Sequence, residues 1–271
     1  MSQAATISRI RPAAVAGQFY PRDADVLRRT VEELLAQAPP PGERVPKALI
    51  APHAGYIYSG PIAASAFSQL IPARGLIQRV VLLGPAHFVA VHGLAATSAE
   101  AFATPLGRVL VDLAAMRQVS LLPQVKVLDA AHAEEHSLEV QLPFLQVVLR
   151  EFTLVPLLIG EASPEQVSQV LDALWGGPET CLVISSDLSH YYSWHTARRL
   201  DGATAQAIEG LQPERIRPNQ ACGHIGVQGL LQAGRQHGLH AHTLDLRNSG
   251  DTAGPREQVV GYGAFGFEAL A

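Results

Sequence analysis

The chain is predicted to fold as an α/β protein, a single layered domain over residues 1–271 with a central mixed β-sheet flanked by helices. Apolar runs of strand length alternate along the sequence with segments whose apolar residues recur at helical spacing. Such alternation buries a parallel or mixed sheet between layers of helix. The 271 residues are 48% hydrophobic, enough for a full core. No linker, low-complexity tract or internal repeat marks a boundary.

Residues 23–38 (DADVLRRTVEELLAQA) set Val26, Leu27, Thr30, Val31, Leu34 and Leu35 on one helical face, and PPPGER (39–44) ends that helix. KALIA (47–51) reads as a buried strand, SGPIAASAFSQL (59–70) as a short helix of small residues, and RVVLLG (79–84) as a second strand. Residues 94–112 form an extended excursion or hairpin about Thr104-Pro105. SLEVQLPFLQVVL (137–149) has helical spacing that Pro143 kinks or bounds. After the strand LVPLLIG (154–160), a capping box opens the next helix, with Ser163 as N-cap, Pro164 at the first position and Gln166 reaching back. TCLVISS (180–186) is a strand, HTARRLDGATAQAIEG (195–210) and IGVQGLLQAGRQHG (225–238) are helices, and HAHTLDLRN (240–248) and QVVGYGAFGFEAL (258–270) are closing strands.

Three of the apolar runs end alike. ALIAPHAGY delivers His53, VVLLGPAHF delivers His87, and LVISSDLSHYY delivers Asp187 and His190. Side chains at the carboxyl ends of neighbouring strands converge on one crevice in open α/β sheets. A lone strand-end histidine is more often a hydrogen-bonded structural residue; the repeated Pro-His grammar and the Asp187/His190 pair favour a shared polar site. Pro52 and Pro85 stiffen the backbone that aims the rings, and Gly55 is expected to let the chain turn sharply so that Tyr58 returns to the pocket. Cys222, in QACGHIGVQG, is expected at a helix N-terminus, where unpaired amides stabilise a thiolate. His53, His87 and Cys222 would make a three-ligand site with open positions, suited to Fe(II), Cu or Zn and not to Mg or Ca. Cys181, inside an apolar strand, reads as an inert core residue. A blue-copper centre is disfavoured, because Met1 and Met116 lie away from these segments.

Other patterns are weaker. HAEEH (132–136) fits an inverted zinc-peptidase signature, with Glu135 as base and His132 and His136 as ligands on one helical face. GYGAFG (261–266) fits G-x-G-x-x-G but lacks a βαβ unit and a downstream acid, so a dinucleotide role is rejected. A net charge of −4 with both signs scattered offers no stripe for a nucleic-acid backbone, and nucleic acid is not an expected partner. No apolar run approaches the ~18 residues of a membrane span, and MSQAATISRIRPAAVAG lacks the apolar core of a signal peptide. A cytoplasmic protein with free cysteines and no membrane partner is therefore expected.

RPAAVAGQFYP, APHAGYIYSG, LLGPAHF, EEHSLEVQLPFL, VISSDLSHY, CGHIGV and VVGYGAFGF occur in this order in the Memo family, which the chain resembles over nearly its whole length. The resemblance is to the bacterial and archaeal AmmeMemoRadiSam system protein B type. It implies a fold similar to that of class III extradiol dioxygenases, which are non-haem Fe(II) ring-cleaving enzymes, and a functional association with a radical SAM protein. It implies His53 and His87 as metal-binding histidines, and Cys222 as a metal-binding cysteine where a dioxygenase carries a glutamate. Asp187 and His190 match the polar pair, His190 resembling the acid/base histidine. Phe19 and Tyr58 fall where the family lines the pocket with aromatics, and Glu135, His136 and Glu139 belong to the pocket wall or its supports. Animal relatives read C-G-R-H-P-I-G where this chain reads C-G-H-I-G, which leaves the placement of His224 open. The implied cofactor is Fe(II), with Cu or Zn as alternatives, and the implied ligand is a small molecule or an anionic peptide. Three readings follow: a redox enzyme or redox metal protein of dioxygenase type, a non-enzymatic module for phosphopeptides or anions, and a zinc hydrolase.

Overall fold

Strands that are apolar at consecutive positions need cover on both faces. The computed structural model, which describes residues 9–269, supplies it. Met1, the first half of the N-terminal stretch read for targeting, and Leu270 lie outside the described residues. One mixed sheet contains β1 (Ile10–Arg11), β2 (Ala48–Ala51), β3 (Arg79–Pro85), β4 (Leu94–Ala96), β5 (Ala101–Thr104), β6 (Gly107–Val111), β7 (Val125–Val127), β8 (Thr153–Ile159), β9 (Thr180–Ser185), β10 (His190–Tyr192), β11 (Leu239–Asn248) and β12 (Val259–Ala269). The helices are α1 (Ala24–Gln37), α2 (Tyr56–Phe67), α3 (Leu113–Val119), α4 (Asp129–Ala133), α5 (Leu142–Val148), α6 (Pro164–Ala173), α7 (Trp194–Glu209), α8 (His224–Gln236) and α9 (Ser249–Thr252).

The centre of the sheet is parallel, in the order β6–β8–β3–β9–β2. β12 runs antiparallel to β2 and carries β10 and β11 along its length. β5 and β6 form the hairpin expected at Thr104-Pro105, closing on Thr104↔Gly107. Every residue of β2 and β9 is buried. One helical group, α1, α2 and α5, packs through α2 onto β2, β11 and β12; a second, α3, α6 and α8, packs through α8 onto β3 and β9. The expected capping box of α6 is formed, Ser163 accepting from the Gln166 amide while the Gln166 side chain accepts from the Ser163 amide.

The differences from the sequence reading are local. β1, α3, β7, α4 and β10 were not anticipated; they span two to seven residues, too short for a periodicity to show. α2 begins at Tyr56, three residues before the expected start, because the Phe19 carbonyl accepts the Tyr56 amide at 2.8 Å and satisfies one orphan donor of the first turn. Gly55 is the N-cap at φ −58° and ψ 143°, a conformation open to any residue, so the turn from β2 into α2 does not draw on glycine's conformational freedom. α4 ends at Ala133, so His132 and His136 do not share a helix and the zinc-peptidase arrangement is absent. GYGAFG lies within β12, paired in the sheet rather than forming a phosphate-binding turn.

The loop that follows β3 and carries His87 is pinned where it meets β4. Gly93 donates to the Glu161 carbonyl at 2.9 Å and accepts from Gly160 at 3.0 Å. Gly93 has φ +86°, and a Cβ there would sit 2.2 Å from the Gln124 carbonyl oxygen. Gly93→Ala is therefore expected to destabilise the protein by about 2–4 kcal/mol, through strained φ and backbone displacement, read as a lowered urea midpoint at unchanged m-value.

Candidate metal centre

β2, β9 and β3 are neighbours, so their carboxyl ends release Pro52-His53, Ser186-Asp187 and Ala86-His87 side by side. His136 arrives from the segment between α4 and the 3-10 turn Glu139–Gln141. His53, His87 and His136 each bring one ring nitrogen within 4.8 Å of the others. Their ring centroids are 5.3 Å (His53–His87), 5.4 Å (His53–His136) and 4.7 Å (His87–His136) apart. Cys222 Sγ lies 3.3 Å from His53 Nε2. The structure thus sets the anticipated Cys222 against His53, but the three-residue group in mutual reach is completed by His136, which had been read as pocket wall.

The tautomers follow from the surrounding partners. The Ser185 hydroxyl donates to the Ser137 carbonyl at 2.6 Å and accepts from Gln141 Nε2 at 2.8 Å. Gln141 Nε2 also bonds the Pro52 carbonyl, which can only accept, so the amide orientation is settled. With its one proton used, Ser185 Oγ accepts from His53 Nδ1 at 2.8 Å, and the Nε2 lone pair is left facing Cys222. His87 Nδ1 donates to Glu135 Oε1 at 2.9 Å while the His87 amide donates to Oε2 at 2.6 Å, leaving Nε2 with its lone pair. Holding Nδ1–H on a fixed acceptor is how proteins present Nε2 to a metal.

Burial, reinforced by the two neighbouring imidazoles, pushes His53 well below its ordinary value and keeps it neutral. Burial lowers His136 as well, against the pull of Glu135. Burial opposes ionisation of Glu135, but hydrogen bonds from the His87 ring and the amides of His87 and Ser137 outweigh it and hold the carboxyl down to about 2. Cys222 behaves differently from the sequence expectation. Burial and the nearby Asp187 carboxylate push its thiol up to about 12, overriding any help from the start of α8, so a thiolate there requires a cation. His136 Nδ1 is buried without a hydrogen bond, 3.3 Å from Glu135 Oε1 but out of line with it.

Asp187 is buried, accepts the His53 amide at 2.7 Å, and has its carboxyl raised by burial against the pull of that bond and of the surrounding imidazoles. His190 is half-buried on β10, and its Nδ1 donates to the Leu188 carbonyl at 2.8 Å; Leu188, and not Asp187, orients the ring. Phe19 packs against His136 with ring centroids 4.7 Å apart and planes tilted by 43°, and the exposed Phe88 ring is 5.8 Å from it. Tyr58, in the first turn of α2, is half-buried beside Gly55 and makes no ring contact with the cluster among the described residues. Glu139 is fully shielded from solvent; it accepts from Arg11, Tyr20 and the Ala14 and Val15 amides, so it supports the wall instead of facing a ligand. His224 and Cys222 line a cleft of about 280 Å³ together with Pro85, Val91 and Gly160, which gives His224 a place beside the cluster but outside the three-histidine group. Ser185, Gln141 and Arg11 were not picked out from the sequence. Each acts across more than 40 residues of chain, and no local spacing announces such a bond.

The family described as Memo-like protein matches residues 11–265 of the chain. Among curated relatives, MEMO1 family proteins of Aquifex aeolicus, Ignicoccus hospitalis and Aeropyrum pernix are 35%, 34% and 36% identical; the alignments cover 94%, 95% and 94% of this chain and 97%, 98% and 99% of theirs. A crystal structure of an uncharacterized protein from Escherichia coli K12 shares the fold, with a TM-score of 0.50 at 15% identity, over 81% of this chain and 99% of that one.

Glu135 yields a pH signature. Its folded value of about 2 lies below the ordinary 4.5, so the unfolded chain binds the extra proton between those limits. The stabilisation is complete above pH 4.5 and is lost as pH falls towards 2. Glu135→Gln should lower stability near neutral pH by roughly 3 kcal/mol, and the gap between wild type and variant should close as melts are run from pH 5 down to pH 2.5. A gap that stays constant across that range would contradict the hydrogen-bonded, ionised carboxylate.

Proposed function

The chain belongs to the Memo family, and on that premise we propose that it is a metal-dependent redox protein of dioxygenase-like type. His53 and His87 hold a non-haem iron or copper ion, with Cys222 as third ligand and His136 in reach of the same position. The observation that carries this reading is the aiming of the imidazoles: His53 and His87 each spend Nδ1–H on a buried acceptor, which leaves the Nε2 lone pair to a further partner. A second mark is the orphaned, buried Nδ1 of His136, and a third is the thiol held against His53 at 3.3 Å. Two or three imidazoles and one sulfur form a borderline-soft donor set, which suits Fe(II), Cu and Zn and disfavours Mg and Ca.

Bound there, iron or copper would supply one-electron chemistry and polarise a ligand in the open positions. The chain's own residues do the rest. His190, fixed through Nδ1 by Leu188, keeps Nε2 available to take or deliver a proton. Asp187 accepts the His53 amide and places a buried carboxyl among the imidazoles of the site. Phe19 and Phe88 flank His136.

The test is elemental analysis of the purified protein beside His53→Ala, His87→Ala, His136→Ala and Cys222→Ala, followed by anaerobic Fe(II) loading and oxygen uptake with a catechol panel. Metal content is expected near one per chain in the wild type and at least tenfold lower in the His53 and His87 variants. Ser185→Ala should weaken metal binding by roughly 10–100-fold through its loss of hold on His53. Unchanged metal content in all of the ligand variants would overturn the proposed centre. Metal-dependent hydrolysis indifferent to oxygen would replace the redox reading with a zinc hydrolase, and ligand binding insensitive to chelation would replace it with a binding module.

A further inference from the structure

All three histidines of the cluster are aimed by one short stretch, residues 132–139. His136 belongs to it. Glu135 takes both the amide and Nδ1 of His87. The Ser137 carbonyl takes the Ser185 proton, which forces His53 to donate from Nδ1. The stretch has little regular structure of its own: α4 stops at Ala133 and the following 3-10 turn begins at Glu139. Something else must hold it.

Arg11, on the two-residue strand β1, does so from outside the site. Its Nε donates to the His132 carbonyl at 2.9 Å, its Nη2 to the Glu135 carbonyl at 2.6 Å, and its Nη1 to the Glu139 carboxylate. Three donors of one rigid fork thus end at the start, middle and end of the same stretch. The guanidinium is buried and lies 5.4 Å over the Phe102 ring. Glu139 in turn gathers the Ala14 and Val15 amides and the Tyr20 hydroxyl, closing the loop that brings Phe19 onto His136.

We propose that Arg11 is the positioning residue of the metal centre: its guanidinium fork clasps residues 132–139 and so sets the directions of His53, His87 and His136 together. The inference rests on the metal-centre reading above, yet the ring directions can be measured without any metal.

Two variants test it. Arg11→Lys keeps a positive charge for Glu139 but cannot span the two carbonyls, and Arg11→Met/Glu139→Gln removes both charges so that none is left buried alone. Leu171→Ala, a buried residue of α6, supplies a control for general loss of stability. Zn²⁺ affinity is measured by chelator competition, and ring nitrogen resonances of the histidines are recorded in metal-stripped protein. Wild type and Leu171→Ala should show protected Nδ1–H signals for His53 and His87. Both Arg11 variants should lose or average those signals and bind Zn²⁺ 10–100-fold more weakly, the range typical of lost orienting partners. A folded Arg11 variant with wild-type ring signals and wild-type Zn²⁺ affinity overturns the proposal, as does an equal loss of affinity in Leu171→Ala. If wild type itself binds no Zn²⁺, the metal reading fails, and the ring resonances of Arg11→Lys still decide the clasp.

Discussion

The site hangs on the buried carboxylate of Glu135. Taking a carboxylate out of water costs several kcal/mol unless its lone pairs are filled, and here they are: the amides of His87, His136 and Ser137 and the ring of His87 all donate to it. This local bond network joins two chain segments that the sheet alone would leave independent, the loop after β3 and the stretch after α4. It also fixes which nitrogen of His87 carries the proton. Without an ionised Glu135 the loop would lose its dock and His87 its tautomer, so one charge is responsible for both the path of the backbone and the chemistry of the ring.

The electrostatics around that carboxylate are lopsided in an informative way. His53 and His136 are held neutral, chiefly by burial, so the cluster presents lone pairs instead of positive charges. Glu135 stays ionised, and a second carboxyl, Asp187, is buried close by. A pocket with neutral imidazoles and buried acids repels anions and rewards a cation. Asp187 is raised because burial exceeds the help from the His53 amide and the surrounding imidazoles, and a divalent ion among those rings would reverse the sign of its environment.

The sequence made the strand ends legible because a carboxyl-terminal crevice is a property of the topology, and β2, β3 and β9 are long enough apolar runs to be recognised. His53, His87 and Asp187 could be named for that reason. The capping box of α6 was legible because it is written within four residues. What escaped was everything carried by bonds across the chain: Ser185 to His53, Glu135 to His87, Arg11 to the stretch 132–139, separated by 132, 48 and more than 120 residues. Two local patterns also misled. HAEEH promised one helical face, but the helix stops inside it and sends His132 to the Ala95 carbonyl and His136 to the cluster. Gly55 suggested a sharp turn that its flexibility would allow, whereas the helix start is set by Phe19 and the glycine adopts an ordinary conformation.

Cys222 shows why position alone does not determine reactivity. A cysteine at the start of a helix is commonly taken for an activated thiolate, but the α8 N-terminus contributes less here than burial and the neighbouring Asp187 remove. The thiol therefore keeps its proton near neutral pH, contacts His53 Nε2 at 3.3 Å, and is a poor nucleophile. In the proposed ligand role its proton would have to leave, so the free energy of ionising a thiol near 12 would be subtracted from the affinity for any ion. Hard ions that gain little from sulfur cannot offset that cost, while Fe(II), Cu and Zn can. With Cys222 as the proposed third ligand, the burial that makes the thiol inert by itself would favour metals that bind thiolate strongly.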